Sequence, residues 1–373
     1  MKILNLIQCL NLGGMEQASY ILIEETQGKV IDWQVQSVTP VGMGKDILSS
    51  LNIPIYDNPY EGKFGYKSHL SLKKKVNNFS GDIILVTGPT LTSCMSVKSH
   101  PCTKKVLSIH FCHKNGLLNL LKWKAFYQNF HHDYQAIIYH SPYILEEAIK
   151  IAPQIQHKFH LIENCIQRCS ATTVSEKNIS RQHLGIPADS FIIGNAGWLI
   201  ERKRFDIFLE VCAQLSKHLS NDRKKLIFLI AGDGPLHGEL ETLASSLNIS
   251  NQVKWIGWQK DLSHFYQSLD LLLFNSDSDA FGRTVLEAMG YGVPVVASVV
   301  EGGTDAVLCH KNNGYLIQEH NIRKLTEYCL NLIYDNKTYE QFQIRSLNLI
   351  ESRFTTEKFI QKYLDVFTQV LNY

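Results

Sequence analysis

A two-domain α/β protein with doubly wound parallel sheets is the fold class that this sequence predicts, and three observations predict it. Apolar runs of strand length alternate with helix-forming segments through the first half of the chain and again through the second. A glycine pair stands between the first strand and the first helix, as in nucleotide-binding folds. The polar, Ser- and Thr-rich stretch 168–182 (RCSATTVSEKNISRQ) divides the two series and reads as a linker.

The elements follow in order. MKILNLIQCL opens on a strand, and NLGGMEQASYILIEE turns through Gly13 and Gly14 into a helix. VQSVT, IPIYD, DIILVTG, KKVLSIH, AIIYHS and FHLIEN supply the remaining strands of a first domain, 1–167. FIIGNAGWL, KLIFLIAGDG, QVKWIGW, LDLLLFN, VPVVAS and GYLIQ supply those of a second, 183–352. FDIFLEVCAQLSKHL, HGELETLASSL and RTVLEAMG are the helices between them. A helical tail breaks near 352–356, and its last piece, 353–373, is expected to cross back to the first domain. Two such domains facing across a cleft would line it with the carboxyl edges of both sheets, where open α/β sheets bind ligands.

Composition narrows the function classes. At 373 residues and 45% hydrophobic content, the chain is long enough for two ordinary cores. Nine cysteines without C-x-x-C pairs, and no signal-peptide pattern, point to reduced thiols and a cytoplasmic protein. No apolar run has the roughly 20 residues that span a bilayer. Net charge is +2 but uneven, +5 over residues 1–168 and −3 over the rest. In the basic half, GLLNLLKWKAFYQNF (116–130) mixes leucine, aromatics and lysine. It reads either as a surface helix over a core or as a peripheral contact with an anionic membrane on the inner face of the cytoplasmic membrane. Nothing points to nucleic acid.

The most informative segment is NSDSDAFGRTVLEAMGYGVPVVAS (275–298). It sets two carboxylates, Asp279 and Glu287, eight residues apart around a Phe281-Gly282 turn. The first falls in a loop at the carboxyl end of a strand and the second about two turns along a helix, so the pair can hold a polyhydroxyl ligand at two points. Asp277 and Asp279 also form a D-x-D, which by itself reads as a magnesium site or as a polar loop. His110, Cys112 and His113 suggest zinc but lack a fourth ligand at recognisable spacing. Gly232 and Gly234 misplace the third glycine of a dinucleotide fingerprint, which argues against NAD.

Taken in order, NLGGMEQ (11–17), GWLIERKRFD (197–206), AGDGPLHGELE (231–241), the carboxylate segment and EGGTDAVLCHKNNGYLI (301–317) make the chain resemble a retaining glycosyltransferase of family 4, with the GT-B architecture, over nearly its whole length. The resemblance implies a metal-independent hexosyltransferase that takes no cofactor and uses a UDP-sugar, or a GDP-sugar, as donor. It implies a glycan or glycolipid acceptor and a role in surface polysaccharide, lipopolysaccharide or lipid-linked glycan assembly. It implies that Gly13 and Gly14 approach the donor closely, that Lys203, flanked by Arg202 and Arg204, meets the diphosphate, and that Glu287 holds the ribose hydroxyls. By the same resemblance Asp279, with the N–H groups near Phe281 and Gly282, binds the transferred sugar, and His110 orients it. Asp277 then drops out of the site.

Three departures stand out. Trp198 occupies a position where the family usually has arginine, Asp279 one where it usually has glutamate, and Asn164-Cys165 replaces an Asn-Gly. Two alternatives to the transferase stand: a nucleotide-sugar epimerase of the same two-domain architecture, and, encouraged by Trp198 and Asp279, a noncatalytic sugar-nucleotide-binding partner of another transferase.

Overall fold

The computed structural model describes every residue except 12, 41, 43, 61–64, 99, 101–102, 112–115, 221–224, 280, 301–302 and 373. The chain divides into two compact units, Met1–Cys165 with Thr356–Tyr373, and Ile166–Thr355.

The first unit is built on seven parallel strands: β1 (Lys2–Ile7), β2 (Asp32–Ser37), β3 (Ile55–Tyr56), β4 (Ile83–Thr87), β5 (Lys104–Ile109), β6 (Ala136–Tyr139) and β7 (Phe159–Leu161). Their order in the sheet is β3-β2-β1-β4-β5-β6-β7, so the winding reverses between β1 and β4. β1, β4 and β6 are buried almost end to end, which is why they read as unbroken apolar runs. The one polar side chain inside β1 is satisfied: Asn5 Nδ2 donates to Ser19 Oγ at 2.9 Å, and Asn5 Oδ1 accepts from Thr87 Oγ1 at 2.8 Å. The final helix, Thr356–Asn372, belongs to this unit and adds Phe359, Tyr363, Val366, Phe367 and Val370 to its core, one face of a helical repeat.

The second unit repeats the plan with six parallel strands: β8 (Ser190–Ala196), β9 (Lys225–Ala231), β10 (Val253–Trp255), β11 (Leu271–Phe274), β12 (Val295–Ser298) and β13 (Tyr315–Ile317). Their order is β10-β9-β8-β11-β12-β13. The reversal here lies between β8 and β11, so the loops that leave these two neighbours open side by side. That adjacency creates the site described below.

The stretch expected to be a linker is mostly ordered. Residues Val174–His183 form a helix capped by a reciprocal box, in which Thr173 Oγ1 accepts from the Glu176 N–H and Glu176 accepts from the Thr173 N–H. Arg168 grips the same carboxylate with two nitrogens, at 2.9 and 3.1 Å. The helix docks by charge instead of by apolar area. Lys177 and the buried Arg181 converge on Asp270 at 2.6 and 2.7 Å, and Arg181 also donates to the carbonyls of Ala188 and Ser268. A polar composition therefore concealed a packed element.

Candidate active site

β8 runs into Gly197, passes through a single 3-10 turn, Glu201–Lys203, and enters the helix Phe205–His218 through Arg204 in a left-handed conformation (φ 48°). This loop leans on the next one. A β-carbon on Gly232 would lie 1.9 Å from the Gly197 carbonyl oxygen, so only glycine fits there. The Leu199 N–H donates to the Asp233 carbonyl and the Leu236 N–H to the Leu199 carbonyl. The Gly232-Gly234 turn thus props the lysine-bearing loop.

On the other side, the loop after β11 is stitched to the same residues. The Asp277 N–H donates to the Arg202 carbonyl at 2.8 Å, and Ser276 Oγ donates to it at 3.1 Å. Arg202 Nη1 in turn donates to the Ser278 carbonyl. With both loops held, Lys203 Nζ reaches Asp279 Oδ2 at 2.5 Å, and the two side chains are only 11% and 18% exposed. The ammonium also lies 5.5 Å from the centre of the Phe274 ring.

Asp279 is committed on its other oxygen as well. Oδ1 accepts from the N–H groups of Phe281 and Gly282 at 3.2 and 2.8 Å. Those N–H groups, expected to face the sugar, point at the chain's own carboxylate. Burial pushes the Asp279 carboxyl up, but Lys203 and the two N–H donors outweigh it and hold the group below the usual carboxylate range. The Phe281 ring is buried and meets Phe354 edge-on, so this residue offers the site only its backbone. Gly282 adopts φ 67° and starts the helix Arg283–Gly290.

Glu287 sits one turn along that helix with both oxygens engaged. Oε1 accepts from Arg283 Nε and Oε2 from the Tyr266 hydroxyl, each at 2.7 Å. Burial, and then the Glu287 charge, push the Tyr266 phenol well up, so it remains a donor. Asp277 stands apart, accepting from His320 Nε2 at 2.6 Å and from Arg204 Nη1 at 3.2 Å. Arg204 is further bound to Asp206, and the hydrogen bonds to that carboxylate, against burial, raise it above the ordinary arginine range. Among the described residues, Arg202 is the one of the three basic neighbours whose side chain contacts a carbonyl and no carboxylate.

The first unit places its candidates separately. Gly13 precedes the helix Gly14–Thr26, and the carboxylate of Glu16 folds back over it, so that a β-carbon on Gly13 would lie 2.5 Å from Glu16 Oε2. Cys9 Sγ donates to Glu16 Oε1 at 2.8 Å, and burial together with that carboxylate pushes the thiol up to about 12. The helix terminus expected to attract an anion already faces one of its own. His110 follows β5, is buried, and stacks on His140 with ring centres 3.7 Å apart. Cys112, His113 and Gly302 lie outside the described residues. Among the described residues, no group of three or more His, Cys, Asp or Glu side chains is placed to hold a metal ion.

Sequence reasoning missed Arg283, Tyr266, His320 and His140. Arg283 carried a signal, standing four residues before Glu287 on one helix. The other three meet their partners only through the fold.

Residues 176–347 match the family profile "Glycosyl transferases group 1". The crystal structure of Anabaena HepE in complex with UDP and glucose superposes with a TM-score of 0.82 over 99% of both chains, at 20% identity. The fold is GT-B. Within this GT-B chain the family match falls inside the unit that holds Lys203, Asp279 and Glu287. An uncharacterized glycosyltransferase of Haemophilus influenzae is 29% identical over 169 residues, 45% of this chain and 46% of that one. The lipopolysaccharide core biosynthesis glycosyltransferase LpsE of Rhizobium meliloti is 25% identical over 188 residues, 50% of this chain and 53% of its own. The chain spans about half the length of these curated relatives. In sequence the chain is thus similar to glycosyltransferases over about half its length, and in structure it has the GT-B fold.

Proposed function

We propose that this protein is a retaining glycosyltransferase of family 4 that moves a hexosyl unit from a UDP-sugar, or a GDP-sugar, to a hydroxyl of a glycan or glycolipid acceptor. The observation that carries the reading is the Lys203–Asp279 pair, held between the loops after β8 and β11 with Arg202 beside it. A departing diphosphate needs cations and N–H donors at the point where charge develops, and this pair can supply them by exchange. When the diphosphate takes Lys203, Asp279 is released to accept hydrogen bonds from sugar hydroxyls. Arg202 adds a positive charge that, among the described residues, no carboxylate contacts, and so fills the role left open by Trp198.

Glu287 retains a lone pair on each oxygen after binding Arg283 and Tyr266, enough to receive two ribose hydroxyls. Gly13 and Gly14 allow close backbone approach to the donor, with Glu16 the anion that a phosphate would have to displace. His110 orients the sugar. The bond from the anomeric carbon to phosphate breaks and the bond to the acceptor oxygen forms on the same face, while the acceptor proton passes to the leaving phosphate oxygen. No divalent metal is required in this scheme, since Asp277 of the D-x-D is bound by Arg204 and His320.

The acceptor belongs to surface polysaccharide, lipopolysaccharide or lipid-linked glycan assembly on the cytoplasmic side of a membrane. The relative LpsE of Rhizobium meliloti is a lipopolysaccharide core biosynthesis glycosyltransferase. The helix Leu117–Phe130 favours peripheral attachment, because it exposes Leu117, Leu118 and Leu121 together with Lys122 and Lys124. Among the described residues, no helix is long and apolar enough to cross a membrane.

The test is a panel of UDP- and GDP-sugars, followed by thermal shift, hydrolysis and transfer with chelator present. One donor should stabilise the protein and be turned over with retained anomeric configuration, and Lys203→Ala should abolish turnover. Binding without turnover would favour a noncatalytic partner, and loss of activity on chelation would restore a metal at Asp277 and Asp279.

A further inference from the structure

His110 and His140 each direct a ring nitrogen at one hydroxyl. Ser108 Oγ lies 2.9 Å from His110 Nε2 and 2.8 Å from His140 Nε2. A hydroxyl carries a single proton, and the far side of His140 decides where it goes. His140 Nδ1 lies 2.7 Å from the Ile162 carbonyl oxygen, which can only accept, so Nδ1 carries a proton. Burial lowers His140 to about 4, partly offset by that carbonyl, so at neutral pH its Nε2 is a bare lone pair and must receive the Ser108 proton. Ser108 can then only accept from His110.

The His110 ring is consequently protonated at Nε2 and unprotonated at Nδ1. Burial, and then His140, hold this imidazole well below its ordinary value, so it stays neutral. The Tyr363 hydroxyl, 3.4 Å from Ser108 Oγ, can donate to the same oxygen without disturbing the order. Among the described residues, none takes up Nδ1.

We infer that His140, acting through Ser108, is a positioning residue that locks His110 as the Nε2–H tautomer and presents Nδ1 as a hydrogen-bond acceptor to a hydroxyl of the transferred sugar. This rests on the proposed glycosyl transfer for its ligand, while the lock itself rests on the four groups alone. A protonated or flipped imidazole would present a donor in place of an acceptor, so the site selects a sugar that offers an O–H at this point.

The experiment uses the full chain labelled with 15N-histidine and long-range 1H–15N correlation at neutral pH, alongside steady-state kinetics with the donor identified by the panel. Wild type should show the Nε2–H pattern for His110. His140→Phe keeps a stacking ring but removes both of its polar contacts, so the Ser108 proton turns to His110 Nε2 and the pattern switches to Nδ1–H. Its kcat/KM should fall about tenfold, the scale of one hydrogen bond turned from acceptor to donor. His140→Gln, whose amide can donate to Ile162 and accept from Ser108, should return both the Nε2–H pattern and most of the rate. A wild-type Nδ1–H pattern, or a His140→Phe variant with unchanged pattern and rate, overturns the lock. Absence of turnover by wild type refutes the glycosyltransferase reading and the sugar-facing role of Nδ1, whereas the spectrum alone decides the tautomer.

Discussion

Replacing Asp279 by asparagine removes one charge from a pair that is almost closed to water, and three measurable quantities should then move in different directions. The amide oxygen can still accept from the Phe281 and Gly282 N–H groups, so the loop keeps its shape. Lys203 loses its counter-charge while remaining only 11% exposed. Breaking a fully buried pair costs about 3–5 kcal/mol, and the residual exposure here brings the expected loss to about 2–3 kcal/mol. For a unit of this size that lowers the melting temperature by roughly 5–10 °C. The same unpaired ammonium no longer has to leave a carboxylate to meet a phosphate. UDP should therefore bind about tenfold tighter, about 1.4 kcal/mol, while transfer falls because the sugar loses its carboxylate. Calorimetric melting, titration with UDP and donor turnover read the three effects. A variant that is less stable yet binds UDP no better would refute the exchange of Lys203 between Asp279 and phosphate.

Other predictions follow from the same geometry. Among the described residues, Glu287→Gln leaves Arg283, whose Nη1 is already buried without a partner there, with no carboxylate. It should lower stability, and it should erase the preference for UDP over 2′,3′-dideoxy-UDP in competition binding. Glu176 is held low, at about 2, by Arg168 first and then by Thr173. Because its folded value is depressed, its contribution is complete above the ordinary glutamate range and is lost as pH falls through about 2. The stability difference between wild type and Glu176→Gln should therefore shrink progressively below about pH 4.5, by denaturant melts at stepped pH, and a flat difference would remove the capping box from the account. Leu117→Asp with Leu118→Asp should abolish co-sedimentation with vesicles containing anionic lipid while leaving turnover of a soluble acceptor intact. Retained sedimentation would exclude this helix as the attachment surface.

How much of this was legible in the sequence depended on the range over which each feature is decided. The strands of both sheets could be read because a strand covered on both faces must be apolar nearly throughout, as β1 and β4 are. Asp279 and Glu287 could be singled out because the strand, turn and helix around them are fixed by their immediate neighbours, whereas Lys203 stood out only through the family resemblance. What pairs with each could not. Asp277 and His320 are 43 residues apart, and Ser108 and His140 are 32 apart. The helix Val174–His183 escaped notice for the same reason, since its anchor, Asp270, lies 93 residues beyond Lys177. Local pattern reports which side chains share an element, and the fold decides which charges cancel.

That distinction explains the shortened carboxylate. An aspartate accepts readily from N–H groups two and three residues ahead of it, whereas glutamate, one methylene longer, is poorly suited to such local bonds. Asp279 does this at Phe281 and Gly282, which fixes the start of the helix carrying Glu287. A glutamate here would reach farther toward a sugar but release those two N–H groups. Asp279→Glu should accordingly keep the ion pair with Lys203 and lose about 1–2 kcal/mol, from the two neutral donors it leaves behind. It should also change the ranking of donor sugars in the hydrolysis panel, because two N–H groups and a longer carboxylate now face the hexose. An unchanged ranking with unchanged stability would mean that the aspartate neither holds the turn before this helix nor sets the reach of the site.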